Sequence, residues 1–289
     1  MLFLIKQHKI SEASKILFIN DGSTDKTWDI IKTLHAEDHL FSGLNLTRNC
    51  GHQHALMAGL MKSKDLCDIT ISMDADLQDD QHVIDQMIEK YYEGSAIVYG
   101  VRNDRNRDTF FKRQTASLYY RLLKHLVSDI IPNHADFRLM SRKALNSLSE
   151  FKEVNLFLRG IIPLLGYSHD IVYYTRGERI AGQSKYPLKK MLIFAVEGVT
   201  SFSIAPLRFI ILLGLFSSAL SFLLGTFFFF QHFFGHTFSG LSSIIVSIWA
   251  IGGLQLLALG IIGEYVGKTY LETKKRPRYL IKDFLNDEL

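Results

Sequence analysis

Four aspartates, Asp74, Asp76, Asp79 and Asp80, crowd into the stretch ISMDADLQDD directly after an apolar run. Two carboxylates about 5 Å apart repel by roughly 3 kcal/mol at an effective dielectric near 20. Such a cluster is therefore either spread into water or neutralised by a cation. Asp79 or Asp80 fits the cap of a helix starting near Gln81, where acidic residues suit the helix dipole. Asp74 and Asp76 have no such duty. At i and i+2 on an extended chain end their carboxylates can flank a common point, and hard oxygen donors of this kind suit Mg2+ or Mn2+ shared with phosphate oxygens. An EF-hand is excluded, because its glycine and terminal Glu are missing. A second acidic turn, NDGSTD at 20–25, puts Asp21 at a strand end, where a carboxylate can accept hydrogen bonds from a nucleobase or ribose. Gly22, Ser23 and a Thr24 or Asp25 cap read as ordinary turn chemistry. Arg102, Arg105, Arg113, Arg138, Arg176, Arg179 and Lys185 supply cations from several loops, and neither a Walker loop nor G-x-G-x-x-G occurs. A diphosphate would be held here by metal and side chains rather than by a glycine-rich cradle. His52, His54 and His134 lie near these motifs and read first as structural.

The elements that must position these groups follow from periodicity. Residues 15–21, 40–47, 68–76, 95–100 and 170–176 read as strands, and 24–37, 52–63, 79–93, 110–128, 141–149 and 153–165 as helices. This alternation predicts an α/β domain with a mainly parallel sheet and helices on both faces. Ligands of such sheets bind beyond the carboxyl ends of the strands, so both acidic turns are expected to face one crevice.

The overall apolar fraction of 47% hides a division, because no Lys, Arg, Asp or Glu occurs between Arg208 and Glu264. Within it, 209–230 and 241–263 are each long enough to cross a hydrocarbon core of about 30 Å. They predict a transmembrane hairpin. The loop between them lacks Lys and Arg, whereas Lys185, Lys189, Lys190 and Arg208 precede the pair and Lys268, Lys274, Lys275, Arg276 and Arg278 follow it, so both chain ends are expected on the cytoplasmic side. PLKKMLIFAVEGVTSFSIAP, just upstream, has the pattern of a helix lying in the membrane interface or packed on the soluble domain. The net charge of +4, with no basic patch interleaved with aromatics, argues against nucleic acid. Cys50 and Cys67 lack C-x-x-C spacing and suggest neither zinc nor a disulfide.

INDGSTDKT, LNLTRNCGHQHALMAGL, SMDADLQDD, HADFRLMSRKAL, LRGIIPLLGY and RGERIAGQSKYPLKKM, then the apolar runs and IGEYVGKTYLETKKRP, occur in a single order. Together they resemble the family 2 glycosyltransferases that act on polyprenyl phosphate, most closely the bactoprenol glucosyltransferase type, with dolichyl-phosphate mannose synthase more distant. The resemblance implies a GT-A catalytic domain (a Rossmann-like mixed sheet) over 1–170. An acceptor loop and interfacial helix would follow at 171–207, then a two-helix transmembrane hairpin at 208–265 and a basic cytoplasmic tail at 266–289. It implies a nucleotide-sugar donor, a divalent cation and a lipid-phosphate acceptor at the cytoplasmic membrane, and it leaves homo-oligomerisation open. Residue by residue, Asp21 and Asp74 match nucleotide contacts, Asp76 and Gln78 metal ligands, and Asp136 with nearby Arg138 the proposed catalytic position. Arg179, Ser184 and Lys185 match a phosphate-approaching segment, and Arg102 and Arg113 loosely match acceptor-phosphate arginines. Relatives usually open with a further strand and a Pro-x-Tyr-Asn-Glu-like turn, and MLFLIKQHKISEAS resembles the helix after it, so the resemblance implies a chain that begins late. A truncated homologue that only binds a membrane partner is the alternative. A processive polysaccharide synthase would carry Q-x-x-R-W, which is absent, and a transporter would carry ionisable residues at mid-membrane depth, also absent.

Overall fold

The computed structural model describes residues 1–103, 134–154, 156–175, 177, 205–234 and 240–286. The chain divides into two units, one made of Met1–Lys190 with Lys275–Leu289 and the other of Met191–Lys274.

In the first unit a short helix, α1 (Leu2–Lys6), precedes β1 (Ile16–Asn20), α2 (Thr27–Glu37), β2 (Phe41–Leu46), α3 (His52–Ser63) and β3 (Ile69–Ser72). A 3-10 turn at Gln81–Val83 leads into α4 (Ile84–Tyr92), followed by β4 (Ile97–Arg102), β5 (His134–Ser141), α5 (Arg142–Ser149), α6 (Leu158–Leu164) and β6 (His169–Tyr174). The last strand, β7 (Ile281–Leu285), comes after the second unit.

The strands form two sheets, ordered β1-β2-β7 and β3-β5-β4-β6. β1–β2 and β4–β6 are parallel pairs, and β2–β7, β3–β5 and β4–β5 are antiparallel. The sheet is therefore mixed rather than mainly parallel. The difference lies in β5 and β7, the two strands that periodicity did not reveal. β5 carries Asp136 and Arg138 inside its buried run, which breaks the apolar alternation. β7 lies just beyond the basic stretch KKRPRY and places the expected tail in the first unit: Asn45 Nδ2 donates to Asp283 Oδ2 at 2.9 Å, and Asn20 Nδ2 donates to Asn45 Oδ1 at 2.9 Å. Two neighbouring strands are thereby tied to the chain end by a ladder of side chains.

α3 packs on both β1 and β3 and so bridges the two sheets. Its apolar face, with Ala55 and Ala58, joins Leu44 and Leu46 of β2 in one core cluster. Across the four-stranded sheet, Met87 and Ile88 of α4 pack with Val98, Phe137, Leu139 and Val172, all nearly inaccessible. Burial of each such side chain contributes about 1.5–3 kcal/mol. α6 starts five residues later than its periodicity suggests. The side chain of Gln53 accepts from the Leu158 N–H at 3.0 Å, so a residue of α3 supplies the cap for this helix.

The second unit contains α7 (Ala205–Phe233) and α8 (Leu241–Thr273). Among the described residues one stretch, Pro206–Leu224, is long and apolar enough to cross a membrane by length and composition. The helices expected at 110–128 and within 187–206 lie outside the described residues.

Candidate active site

Asp136 and Arg138 stand at i and i+2 of β5, hence on one face of the strand. Asp136 is 3% exposed and Arg138 fully buried. One guanidinium nitrogen of Arg138 donates to Asp136 Oδ1, and Arg159 of α6 approaches from outside, its Nη2 3.0 Å from Oδ2. His52, the first residue of α3, brings its Nε2 within 3.0 Å of Asp136 Oδ2 and 3.8 Å of Asp74 Oδ1. The imidazole is thus hydrogen-bonded to the carboxylate on β5 and lies near the one that follows β3. Burial alone would keep Asp136 protonated, but the hydrogen bond with His52 and the charges of Arg138 and Arg159 outweigh it and hold the carboxyl well below its usual range. Asp74 shifts the other way: burial raises it, although His52 opposes the shift. Nε and Nη1 of Arg138 have no partner among the described residues, so this cation is balanced by Asp136 more than it is solvated.

The position of His52 depends on Asp21. Its two carboxylate oxygens accept from the Cys50 N–H at 2.7 Å and the Gly51 N–H at 2.9 Å. Asp21 therefore fastens the turn that opens α3, a duty its strand-end position did not suggest. The same closeness dictates Gly22, whose φ is +63° and where a Cβ would stand 2.4 Å from the Arg48 backbone.

In the turn after β3, Asp76 Oδ1 accepts the Gln78 N–H at 3.2 Å, and Leu77 sits in the left-handed region at φ 53°. A leucine held there marks a turn over-determined by its surroundings. Asp80 accepts the His82 N–H at 2.9 Å and caps the 3-10 turn, as expected. Asp79 does not cap. It is buried, and its Oδ1 accepts from the Tyr174 hydroxyl and, at 3.3 Å, from Arg102 Nη2. Burial, then the bond to Asp79, push the Tyr174 phenol well above its usual range, so it stays the donor.

Among the described residues no group of three or more His, Cys, Asp or Glu side chains is set to enclose a cation. Asp74, Asp76 and Gln78 nonetheless offer hard oxygen donors along one turn. That partial set fits Mg2+ or Mn2+, which are held by one or two carboxylates and completed by substrate phosphates and water.

A family model described as Glycosyl transferase family 2 matches residues 3–149, which hold this whole cluster except Arg159 and Tyr174. This chain belongs to glycosyl transferase family 2. Among the relatives of this glycosyltransferase, an uncharacterized glycosyltransferase, YkoT, of Bacillus subtilis (strain 168) is 52% identical over 287 residues, spanning 99% of this chain and 85% of its own. The bactoprenol glucosyl transferase of Shigella phage SfX is 44% identical over 270 residues, 93% of this chain and 88% of its own. A prophage bactoprenol glucosyl transferase homolog of Escherichia coli (strain K12) is 43% identical over the same length.

Of the residues singled out in the sequence of this glycosyltransferase, the fold brings Asp74 and Asp136 together and sets Arg138 behind them. Asp76 and Gln78 share the adjoining turn, and Arg102 lies at the end of β4. Arg113, Arg179, Ser184 and Lys185 lie outside the described residues. Sequence reasoning did not single out Arg159 or Tyr174, read Asp79 as a helix-start residue, and left His52 among structural histidines. The motifs TRNCGHQH and LRGIIPLLGY contained two of these residues, but nothing in their spacing ties them to β5.

His52 is expected to contribute to stability in a pH-dependent way. Its hydrogen bond with Asp136 raises its pKa above the ordinary 6.5, against the opposing effect of burial. A group raised on folding contributes stability that is complete below its unfolded pKa and disappears as pH climbs through the folded value. The stability difference between wild type and His52→Gln is therefore expected to be larger at pH 5.5 than at pH 8.5. With 54% of the side chain exposed, the change should stay under about 1 kcal/mol. Thermal unfolding of both proteins at the two pH values checks it; a difference that grows with pH would contradict this assignment.

Proposed function

We propose that this glycosyltransferase moves a hexose, glucose in the first instance, from a nucleotide sugar of the UDP type to the phosphate of a polyprenyl lipid, for modification of the cell envelope. The observation that carries the reading is its likeness, over 93% of the chain, to a protein named as a bactoprenol glucosyl transferase and to another named as a prophage bactoprenol glucosyl transferase homolog.

A lipid phosphate is ionised at neutral pH, so its attack on the anomeric carbon needs little general-base help. The inverted hexosyl phosphate would form as the C–O bond to the nucleoside diphosphate breaks and the electron pair leaves with that diphosphate. Asp136, held by two arginines and the His52 imidazole, is a poor proton acceptor. Its role in this scheme is to orient the donor sugar or the acceptor, with His52 and Arg159 as its supports. Asp21 and Asp74 would take the nucleotide, and Arg102, Arg113, Arg179, Ser184 and Lys185 the phosphates. Mg2+ or Mn2+ held by Asp76 and Gln78 would supply charge neutralisation at the diphosphate. Electrostatics, not proton transfer, would then carry most of the rate.

The membrane assignment draws support from the chain path. A segment that leaves a folded unit at Lys190 and rejoins it at Lys275 crosses a bilayer an even number of times, if it crosses at all. Two crossings, one by α7 and one by α8, would satisfy that parity. Together with the Lys and Arg residues flanking them, this favours a hairpin with the catalytic unit and both ends in the cytoplasm.

Membranes containing the protein, given polyprenyl phosphate, Mg2+ or Mn2+ and labelled UDP- or GDP-hexoses, are expected to yield labelled lipid with one donor preferred. Absence of labelled lipid with every donor would sink the proposal.

A further inference from the structure

The corner where β3, β4 and β6 end holds a second buried carboxylate that the scheme above leaves without a role. Asp79 comes from the turn after β3, Arg102 from the end of β4 and Tyr174 from the end of β6. They form a closed ring. The Tyr174 hydroxyl donates to Asp79 Oδ1, Arg102 Nη2 donates to the same oxygen at 3.3 Å, and Arg102 Nε donates to the Tyr174 oxygen at 3.0 Å. Backbone bonds brace the corner: the Gly177 N–H donates to the Gln78 carbonyl at 2.9 Å and the Asn103 N–H to the Tyr174 carbonyl at 2.9 Å.

The exposures of the three side chains differ in an informative way. Asp79 is 3% exposed and Tyr174 2%, its ring set edge-on to Phe137 at 5.4 Å. The Arg102 side chain keeps 28% of its surface accessible. Asp79 Oδ2 is buried with no partner among the described residues, which makes the carboxylate a costly way to hold a corner together. A neutral or apolar residue would hold it more cheaply. What the charge achieves is to fix a guanidinium. A long cationic side chain that would otherwise sample many rotamers is held by two directed bonds, while part of it stays reachable from solvent.

We propose that Asp79 and Tyr174 are positioning residues that preset the Arg102 guanidinium for the phosphate of the acceptor. The proposal rests on the acceptor role assigned to Arg102 above, and it adds the two buried residues through which that role is exerted. The turn bearing Asp76 and Gln78 has its own tie, the Gly177 N–H bond to the Gln78 carbonyl, which does not involve the Tyr174 hydroxyl.

Tyr174→Phe keeps the ring against Phe137 and removes only the hydroxyl. Calorimetric titration of the full chain in detergent with farnesyl phosphate is expected to show binding about tenfold weaker than wild type, the size expected for loss of a hydrogen bond to a charged group. Asp79→Asn should weaken it at least as much. In an Arg102→Ala background, Tyr174→Phe should have no further effect, because the hydroxyl acts through the arginine. In turnover the acceptor KM should rise about tenfold while the donor KM and kcat stay within about twofold of wild type. A purely structural role would instead lower kcat and both affinities together with the melting temperature. Wild-type affinity in Tyr174→Phe or in Arg102→Ala, an additive effect in the double variant, or no binding of farnesyl phosphate by wild type would each overturn the proposal. Farnesyl phosphate bound as expected, with no sugar transferred from any donor, would leave this inference standing and remove the transfer reaction instead.

Discussion

Replacing Asp136 by Asn is expected to cost about 3–5 kcal/mol of stability, the usual penalty for removing one member of a buried ion pair. Transfer activity should fall by at least about a hundredfold, as for loss of a preorganised electrostatic group. The two losses have different origins. Asp136 is the counter-charge of a fully buried arginine, and its oxygens also meet His52 and Arg159. An amide in its place removes the negative charge and presents an N–H group towards donors. Arg138, whose Nε and Nη1 have no partner among the described residues, would then be an uncompensated buried cation. Replacing both members, as Asp136→Asn with Arg138→Met, removes that cation and should recover most of the stability, because exchanging a whole buried pair for uncharged groups is often neutral. It should not recover activity, since the Asp136 carboxylate would still be missing from beside His52 and Arg159. Chemical denaturation and labelled-hexose transfer measured on the same preparations separate the two effects. Activity returning with stability in the double variant would show that Asp136 is structural only.

The second large effect is expected at Asp76, with the opposite balance. Asp76→Asn should leave stability within about 0.5 kcal/mol of wild type, as is usual for changes outside the core. The asparagine side chain still offers an oxygen to the Gln78 N–H, the bond that shapes the turn. Transfer should nevertheless fall by about a hundredfold or more, because one hard anionic donor to the cation at the diphosphate is lost. Calorimetric titration of Mn2+ with UDP should show the matching loss of affinity for the metal–nucleotide pair. Retention of both activity and Mn2+-dependent UDP binding would remove Asp76 from the metal site.

The acidic turns were legible in the sequence because they follow clean apolar strands, and α3 was legible to the residue, at 52–63, because a glycine and a histidine-rich start precede an unbroken apolar face. β5 was not. A strand that buries an aspartate and an arginine looks like a loop until it is known that the two side chains lie on the same face and neutralise each other. For the same reason Asp136 entered the reading only through family resemblance, and Arg138, first read as one of several loop cations, is instead fully buried in a strand. Asp79 was misread because an acidic residue at a helix start already has a cheap explanation. Its actual partners are 23 and 95 residues away in the chain, a separation that local pattern does not report. Arg159 was hidden likewise, since its ion pair with Asp136 depends on how α6 packs and not on its neighbours in sequence.

The return of the chain to form β7 has a consequence for the order of synthesis. Asn45 and its partner Asp283 are 238 residues apart. At 5–20 residues per second, β2 waits on the order of 10–50 s for its outer neighbour to be made. α7 and α8 are synthesised within that interval, so the three-stranded sheet can close only after both helices have been made. Loss of Ile281–Leu285 would accordingly strike the sheet, and would leave the edge of β2 bare in a chain whose helices had already been completed.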